Sequence, residues 1–345
     1  MMPVFTYQKV ASPMLPALRQ EIENLWRQEQ AGIENVEERL SQIRWVGRDE
    51  DGTLAGVCSS QVEKGVFNSQ YFHAMRVLVG KPYRQNLLAF ELLAHMVEDL
   101  HVQRQGKGQI GPVGVKAIIQ SSIVAERGAI HCTRTFQFPV NKIPYTFLLS
   151  GFTSRKHPEY CCYFPDDGDS AKAVLARWAA DSEAFSKEAS IVALGDTSPE
   201  SDWHAALALT AGGTESGGVS RELQTPHYRK LYTLTHNGQL QAVCELVPRE
   251  VPEINARLLG LHLHAAPEAA EVDLLACLAR EVFEQLNQPG QPSAADAAGL
   301  FLVYTSRTGL PIVCPVTGFH LHGVDRQGQE LRVRFFEEIK VKVPL

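Results

Sequence analysis

Met75-Arg76-Val77-Leu78-Val79-Gly80-Lys81-Pro82-Tyr83-Arg84 joins an apolar run to a segment, Gln85 to Leu100, whose spacing is helical. Ala89, Leu92, Leu93, Met96, Val97 and Leu100 recur at i, i+3, i+4, i+7, i+8 and i+11, with Gln85, Asn86, Glu91, His95, Glu98 and Asp99 opposite them. The spacing predicts a helix with one buried face. Pro82 bars the run from continuing as a central strand, so strand hands over to helix near Arg84. Free backbone N–H groups and the positive end of the helix dipole gather there, and such a corner attracts phosphate.

A chain of 345 residues exceeds one core and, at about 150 residues per domain, reads as two domains. With 44% hydrophobic and 21% charged residues the balance is that of an ordinary globular protein, so disorder and a membrane origin are not expected. Met1 to Lys9 shows neither a basic segment with an apolar core nor a small-residue cleavage site, and no run is long enough to span a bilayer. The expected location is cytoplasmic, with no membrane partner. The net charge of −6, without a Lys/Arg block interleaved with aromatics, excludes a nucleic-acid groove from expectation. Seven cysteines at 58, 132, 161, 162, 244, 277 and 314 lack the paired spacings of a zinc ribbon or a disulfide scaffold and read as small buried hydrophobes.

Taken in order, residues 4–10 read as a strand, Leu15 to Gln28 and Ile33 to Ile43 as helices, and Asp49-Glu50-Asp51-Gly52 as the turn of a hairpin. Val115 to Gln120 reads as a buried strand parallel to the Met75 run, by the crossover rule. Ile143 to Phe152 and Tyr160 to Phe164 read as an antiparallel pair. A helix is expected over Ala171 to Phe185, and then the chain starts again. Asn237-Gly238-Gln239-Leu240-Gln241-Ala242-Val243-Cys244 resembles Asp51-Gly52-Thr53-Leu54-Ala55-Gly56-Val57-Cys58, and Arg257 to His264 followed by Pro267 echoes the Met75 run and Pro82. A second helix, with Val272, Leu275, Ala279, Val282, Phe283 and Leu286 on one face, and a strand over 299–304 complete the echo. The expected division is residues 1–165, a linker helix over 166–189, and residues 190–345.

This order of elements resembles the GNAT (N-acetyltransferase-like) superfamily, twice over. Thr317-Gly318-Phe319-His320-Leu321-His322-Gly323 is similar to the Gly-Phe turn before the family's last two strands, with Gly151-Phe152 as its earlier counterpart. The resemblance implies an α/β fold of two tandem GNAT-like domains, each a mixed, mostly antiparallel sheet flanked by helices. It implies acetyl-coenzyme A or another acyl-coenzyme A as co-substrate, a small-molecule amine or hydroxyl acceptor, and no metal. The family's Arg/Gln-x-x-Gly-x-Gly/Ala site falls on Arg84, Leu87 and Ala89, where Leu87 replaces a glycine and adds bulk at the phosphate approach. By resemblance the cofactor lies along Leu78, Val79, Arg84, Gln85, Asn86, Leu87, Leu88 and Ala89, with Ser121 and Ser122 beside it. In the second half, Pro267 to Asp273 puts acidic residues at the equivalent corner, which repels phosphate.

Arg84 reads either as a phosphate contact or as an exposed first-turn arginine, and Ser121 and Ser122 either as cofactor contacts or as turn caps. Tyr145, His73 and Glu63 are the candidates for proton transfer, each equally readable as an ordinary strand or loop residue. His262-Leu263-His264 and His320-Leu321-His322 each send two imidazoles to one strand face, but on strands the family keeps apart. Two functions follow: acyl transfer by the first half, or a pair of degenerate domains that bind a ligand or partner without catalysis. A homo-oligomer or a protein partner is compatible with either.

Overall fold

In the computed structural model, the described residues are 4–29, 31–64, 70–84, 86–106, 111–119, 128–138, 143–165, 189–194, 198, 202, 204–206, 230–266, 271–288, 297–305, 317–324, 327–337 and 339–343. Contacts divide the chain into two units, Met1–Arg127 with Thr133–Phe164, and Gly128–Cys132 with Pro165–Leu345. The helix expected over 171–185 lies outside the described residues.

The first unit opens with β1 (Thr6–Lys9), α1 (Pro16–Gln28) and α2 (Val36–Ser41). Proline in the first turn of α1 sits where a missing N–H costs nothing. Asn35 caps α2: its side-chain oxygen accepts from the Glu38 N–H while its amide donates to the Glu38 carboxylate. In the hairpin of β2 (Ile43–Arg48) and β3 (Leu54–Lys64), the Asp49 carboxylate accepts the N–H groups of Asp51 and Thr53, and Gly52 takes φ 78°. β4 (Tyr71–Val79) passes through a 3-10 turn, Lys81–Tyr83, into α3 (Leu88–Gly106), and β5 (Gly114–Ile118) lies parallel to β4 as expected. The next strand, β6 (Ala129–His131), belongs to the second unit. β7 (Thr133–Gln137), β8 (Pro144–Phe152) and β9 (Pro158–Tyr163) complete an eight-stranded sheet ordered β1-β2-β3-β4-β5-β9-β8-β7. All its pairs but β4/β5 are antiparallel.

Leu18, Ile22, Leu25 and Trp26 of α1 pack on Val46, Leu54 and Val57 on one face of this sheet. On the other face, Met96 of α3 meets Cys58. The buried side of α3 differs from the expected one. Leu88, Leu92, Met96, Val97 and Leu100 are buried, but so are Glu98 and His101, while Ala89 and Leu93 are only half-buried. The reason is that α3 is covered on a second side: His101 stacks on Phe164 and its Nδ1 lies 2.9 Å from the Tyr145 hydroxyl.

In the second unit, β10 (Ala189–Ala193), β11 (Lys230–His236), β12 (Gln239–Val251), β13 (Ala256–Ala265), α4 (Glu271–Leu286), β14 (Gly299–Thr305), β15 (His320–Val324) and β16 (Gln329–Phe335) build a sheet ordered β10-β11-β12-β13-β14-β16-β15. A short β17 (Lys340–Lys342) pairs with β6. Leu278, Val282, Phe283 and Leu286 of α4 join Cys244, Leu261, Leu300 and Phe319 in its core.

The two sheets repeat each other rung by rung. Gln61↔Ala74 and Ala74↔Lys116 of the first become Val247↔Gly260 and Gly260↔Phe301 of the second. Gly114↔Tyr163 becomes Gly299↔Phe335, and Leu149↔Tyr160 becomes Leu321↔Arg332. Even the bulge between Leu149 and Gly151 returns between Leu321 and Gly323. This register corrects one expectation: the counterpart of Gly151 is Gly323 and not Gly318, because Gly151-Phe152 ends β8 whereas Gly318-Phe319 precedes β15.

Gly114 and Gly299 share a steric reason. A Cβ on Gly114 would lie 2.2 Å from the Cys162 carbonyl oxygen, and one on Gly299 2.4 Å from that of Arg334. Gly114→Ala and Gly299→Ala are each expected to destabilise the protein by about 1–3 kcal/mol through overpacking against backbone. Gly106→Ala, at the end of α3 with open space around its Cβ position, is expected to be neutral or slightly stabilising. Chemical denaturation of the three variants checks this.

Candidate functional site

β4 and β5 pair over four rungs, from Phe72↔Gly114 to Met75↔Ala117. β4 then runs on to Val79 with no neighbour on that side among the described residues. Among the described residues, 76–79 therefore have backbone N–H and C=O groups without a strand partner on that side, at the end of β4 that leads into α3. In the second unit β13 and β14 share only Leu259↔Leu300 and Gly260↔Phe301 before β13 continues to Ala265.

The turn from β4 to α3 is tied down from two sides. Tyr83 donates its hydroxyl proton to Asp49, which holds the Asp49 carboxyl below its ordinary range and raises the Tyr83 phenol. On the other side stands Glu29, the C-cap residue of α1. Its carboxylate accepts the Lys81 N–H at 2.9 Å and pairs with the Arg84 guanidinium, whose Nε donates to the Val79 carbonyl at 3.1 Å. The Glu29 side chain is 5% exposed against 49% for Arg84. A carboxylate of the chain itself thus meets the arginine that the sequence offers to a phosphate.

The other expected cofactor residues divide. Leu87 is 60% exposed and Leu88 wholly buried, so the bulk at the glycine position projects outward. Asn86 and Ala89 are half-buried, and the Asn86 N–H donates to the Tyr83 carbonyl. Val79 is buried, and Leu78 packs on the α1 core. Gln85, Ser121 and Ser122 lie outside the described residues.

The three proton-transfer candidates do not converge. Side chains opposite one another across a sheet share a face and alternate along each strand. His73 and Tyr145 lie on the α3 face, where Tyr145 is fully buried against His101 and Phe138, and Glu63 lies on the opposite face.

On the Glu63 face stands a charged group that periodicity does not single out. Lys116 of β5, 7% exposed, places its Nζ 2.9 Å from Glu63 and 3.7 Å from Glu159, and Arg76 lies 3.7 Å from Glu63. Gln61 donates to Glu63 and accepts from Arg76. The readable signal was a single lysine inside the apolar run Val115 to Ile119: a buried ammonium needs a carboxylate partner.

In the second unit the side chains of the acidic corner, Pro267 to Asp273, lie outside the described residues. The two His-x-His strings sit on β13 and β15, with β14 and β16 between them. Among the described residues no group of three or more His, Cys, Asp or Glu is placed to hold a metal ion. The Gly318 turn is explained by Arg334, whose guanidinium covers Phe283 at 3.6 Å, donates to the Thr317 carbonyl, and leaves about 3.0 Å to a Cβ on Gly318, which takes φ 70°. Among the described residues no helix is long and apolar enough to cross a membrane.

The sequence matches no family model and no curated protein. Among solved structures it is similar to a probable N-acyltransferase of Enterococcus faecalis, at 10% identity over 79% of this chain and 61% of that one, TM-score 0.28. It is also similar to Eis1 of Mycobacterium abscessus, at 15% identity over 80% and 62%, TM-score 0.26. The ribosomal-protein-S18-alanine N-acetyltransferase of Escherichia coli matches at 15% identity over 46% of this chain and 95% of its own length, TM-score 0.27. The chain spans less than two thirds of the length of the first two. Independently of these likenesses, each sheet sets one parallel pair at its centre, parts it beside the long helix, and inserts the last strand next to it. Both sheets show the mixed, mostly antiparallel strand arrangement that the resemblance in the sequence implied.

Burial, reinforced by Arg334 and Arg332, pulls the His320 pKa down to about 4. The unfolded chain, with an ordinary histidine near 6.5, binds more protons than the native state between those values, so the native state loses stability as pH falls through that window. Wild type is expected to lose up to about 3 kcal/mol relative to His320→Asn between pH 7 and pH 4, measured by denaturant titration of both at each pH.

Proposed function

We propose that the first unit binds an acyl-coenzyme A thioester along the open edge of β4 and passes the acyl group to an amine or hydroxyl of a small molecule. The observation that carries this reading is the parting of β4 from β5 after Met75↔Ala117, directly beside the first turn of α3. An amide-bearing arm finds strand partners at residues 76–79, and the N–H groups opening α3 at residues 88–90 suit phosphate oxygens. Arg84 joins them once it leaves Glu29. The thioester, when bound, supplies an activated acyl carbonyl. The chain's own part is to hold it, to present the acceptor as a free base, and to take up the acceptor's proton. Glu63 has the proton-accepting role, because its carboxylate is partly exposed on the charged face while His73 and Tyr145 lie on the α3 face.

A second reading, two GNAT-like units that bind a ligand without catalysis, is favoured by the Glu29–Arg84 pair, which already neutralises the phosphate-facing arginine.

Calorimetric titration with acetyl-coenzyme A separates the two. Saturable binding is expected for wild type, about tenfold weaker in Arg84→Ala and severalfold tighter in Glu29→Gln, which frees the guanidinium. Absence of heat with millimolar acetyl-coenzyme A and longer acyl thioesters decides for the second reading.

A further inference from the structure

Among the described residues the two large sheets end at β1, β7, β10 and β15. A bare strand edge invites pairing with another chain, and folds deter this with a charge, a proline or a bulge. β1 carries the exposed Lys9, β7 the exposed Arg134, and β15 is bulged between Leu321 and Gly323. β10 has none of these devices. It reads Ala189-Ser190-Ile191-Val192-Ala193, uncharged and without proline, and its register with β11 is unbroken. Ser190, Val192 and Ala193 are exposed, Val192 at 50%.

Register fixes which backbone groups of β10 are already used. The Leu194 N–H, just past the strand, donates to the Leu231 carbonyl at 2.8 Å. By alternation Val192 and Ser190 also turn their N–H and C=O groups toward β11. The hydroxyls of Thr233 and Thr235 agree, donating to the Val192 and Ser190 carbonyls at 3.3 and 3.4 Å. Ala189, Ile191 and Ala193 therefore direct one donor and one acceptor each away from the sheet. The Ile191 side chain packs inward on the core beneath α4, so what this strip offers a partner is backbone between small side chains.

We infer that this edge binds a second copy of the chain, β10 lying antiparallel to the partner's β10 about a two-fold axis at Ile191. The strip is self-complementary about that residue. Ile191 meets the partner's Ile191 and Ala189 meets the partner's Ala193, so every outward N–H faces an outward C=O. A slip of one residue sets outward groups against inward ones and loses the whole ladder, and a slip of two leaves an alanine beyond the partner strand. Ser190 then lies opposite the partner's Val192 in the closer, non-hydrogen-bonded pairs, where no like charges meet. An unrelated peptide could use the same backbone groups, but only a second copy also matches alanine to alanine at both ends. The interface is independent of acyl transfer.

Sedimentation of the full chain over about 1–200 µM tests this. A strand of this length buries less than a standard interface, so a weak dimer that dissociates within that range is expected. Ala193→Pro removes an outward N–H while sparing the bonds to β11, since proline is accepted on an edge strand where its nitrogen faces solvent. It is expected to weaken the dimer at least tenfold with an unchanged circular-dichroism spectrum and melting temperature. Register is read by mixing Ser190→Cys with Val192→Cys in oxidised glutathione: a disulfide-linked dimer is expected in the mixture well above either variant alone, because position 190 faces only the partner's 192. A monomer at every concentration, a dimer indifferent to Ala193→Pro, or no extra cross-linking in the mixture would overturn the inference. If the proline variant fails to fold, the cross-link between two exposed positions still decides.

Discussion

The central parallel pair of each sheet is held by very few rungs, and the site proposed for the first unit depends on where those rungs stop. β9 is inserted against β5 so closely that Gly114 has no room for a Cβ, and β16 treats Gly299 in the same way. That approach commits β5 and β14 to their antiparallel neighbours. β4 and β13 pair fully on their other side, with β3 and β12. Strands fully committed on opposite sides follow different twists, and the pair between them opens. An open strand edge is a liability in most proteins. Here it leads into a helix N-terminus, and on the proposed reading the unpaired amides would hold an amide-bearing and anionic molecule.

Charge then decides what such a place accepts. At the turn into α3, Glu29 satisfies the Lys81 N–H and Arg84 together, so the corner is electrically complete without a ligand. A buried carboxylate held by a half-exposed arginine is a modest lock, because the exposed partner exchanges its contact for water or for a stronger anion at little cost. On the opposite face of the same strands, Lys116 is buried and hydrogen-bonded to Glu63, and breaking that pair would strand a charge in a low dielectric. One ion pair is therefore exchangeable and the other is structural, although both join residues far apart in the chain.

The second sheet shows how the same register serves a different end. Where the first carries Lys116 between two carboxylates, the second carries Phe301 beneath Arg249 and fills the base of its parting with an aromatic ring. Apolar packing replaces buried charge without moving a rung, in keeping with the general finding that a buried ion pair and a hydrophobic replacement of similar size cost a fold about the same. The His-x-His strings fall on β13 and β15, and two intervening strands keep them apart.

Much of this was legible in the amino-acid order. The Asp-Gly and Asn-Gly hairpins, the strand that yields to a helix beyond Pro82, the parallel crossover to Val115 and the restart near residue 237 all follow from local turn chemistry and periodicity, which act over a few residues. Periodicity failed where a helix is covered on two sides: Glu98 falls on the solvent side by spacing and is buried, as is His101, which stacks on Phe164. The likeness of one Gly-Phe dipeptide to another also paired Gly151 with the wrong glycine, because the dipeptide ends β8 in the first sheet and precedes β15 in the second. Which charges meet was beyond the sequence altogether. Glu29 with Arg84, and Lys116 with Glu63 and with Glu159, are contacts across 43 to 55 positions, made by strand order and helix placement. Electrostatic partnership falls off with distance in space and is blind to distance along the chain, so local pattern determined the elements and only the tertiary structure decided their chemistry.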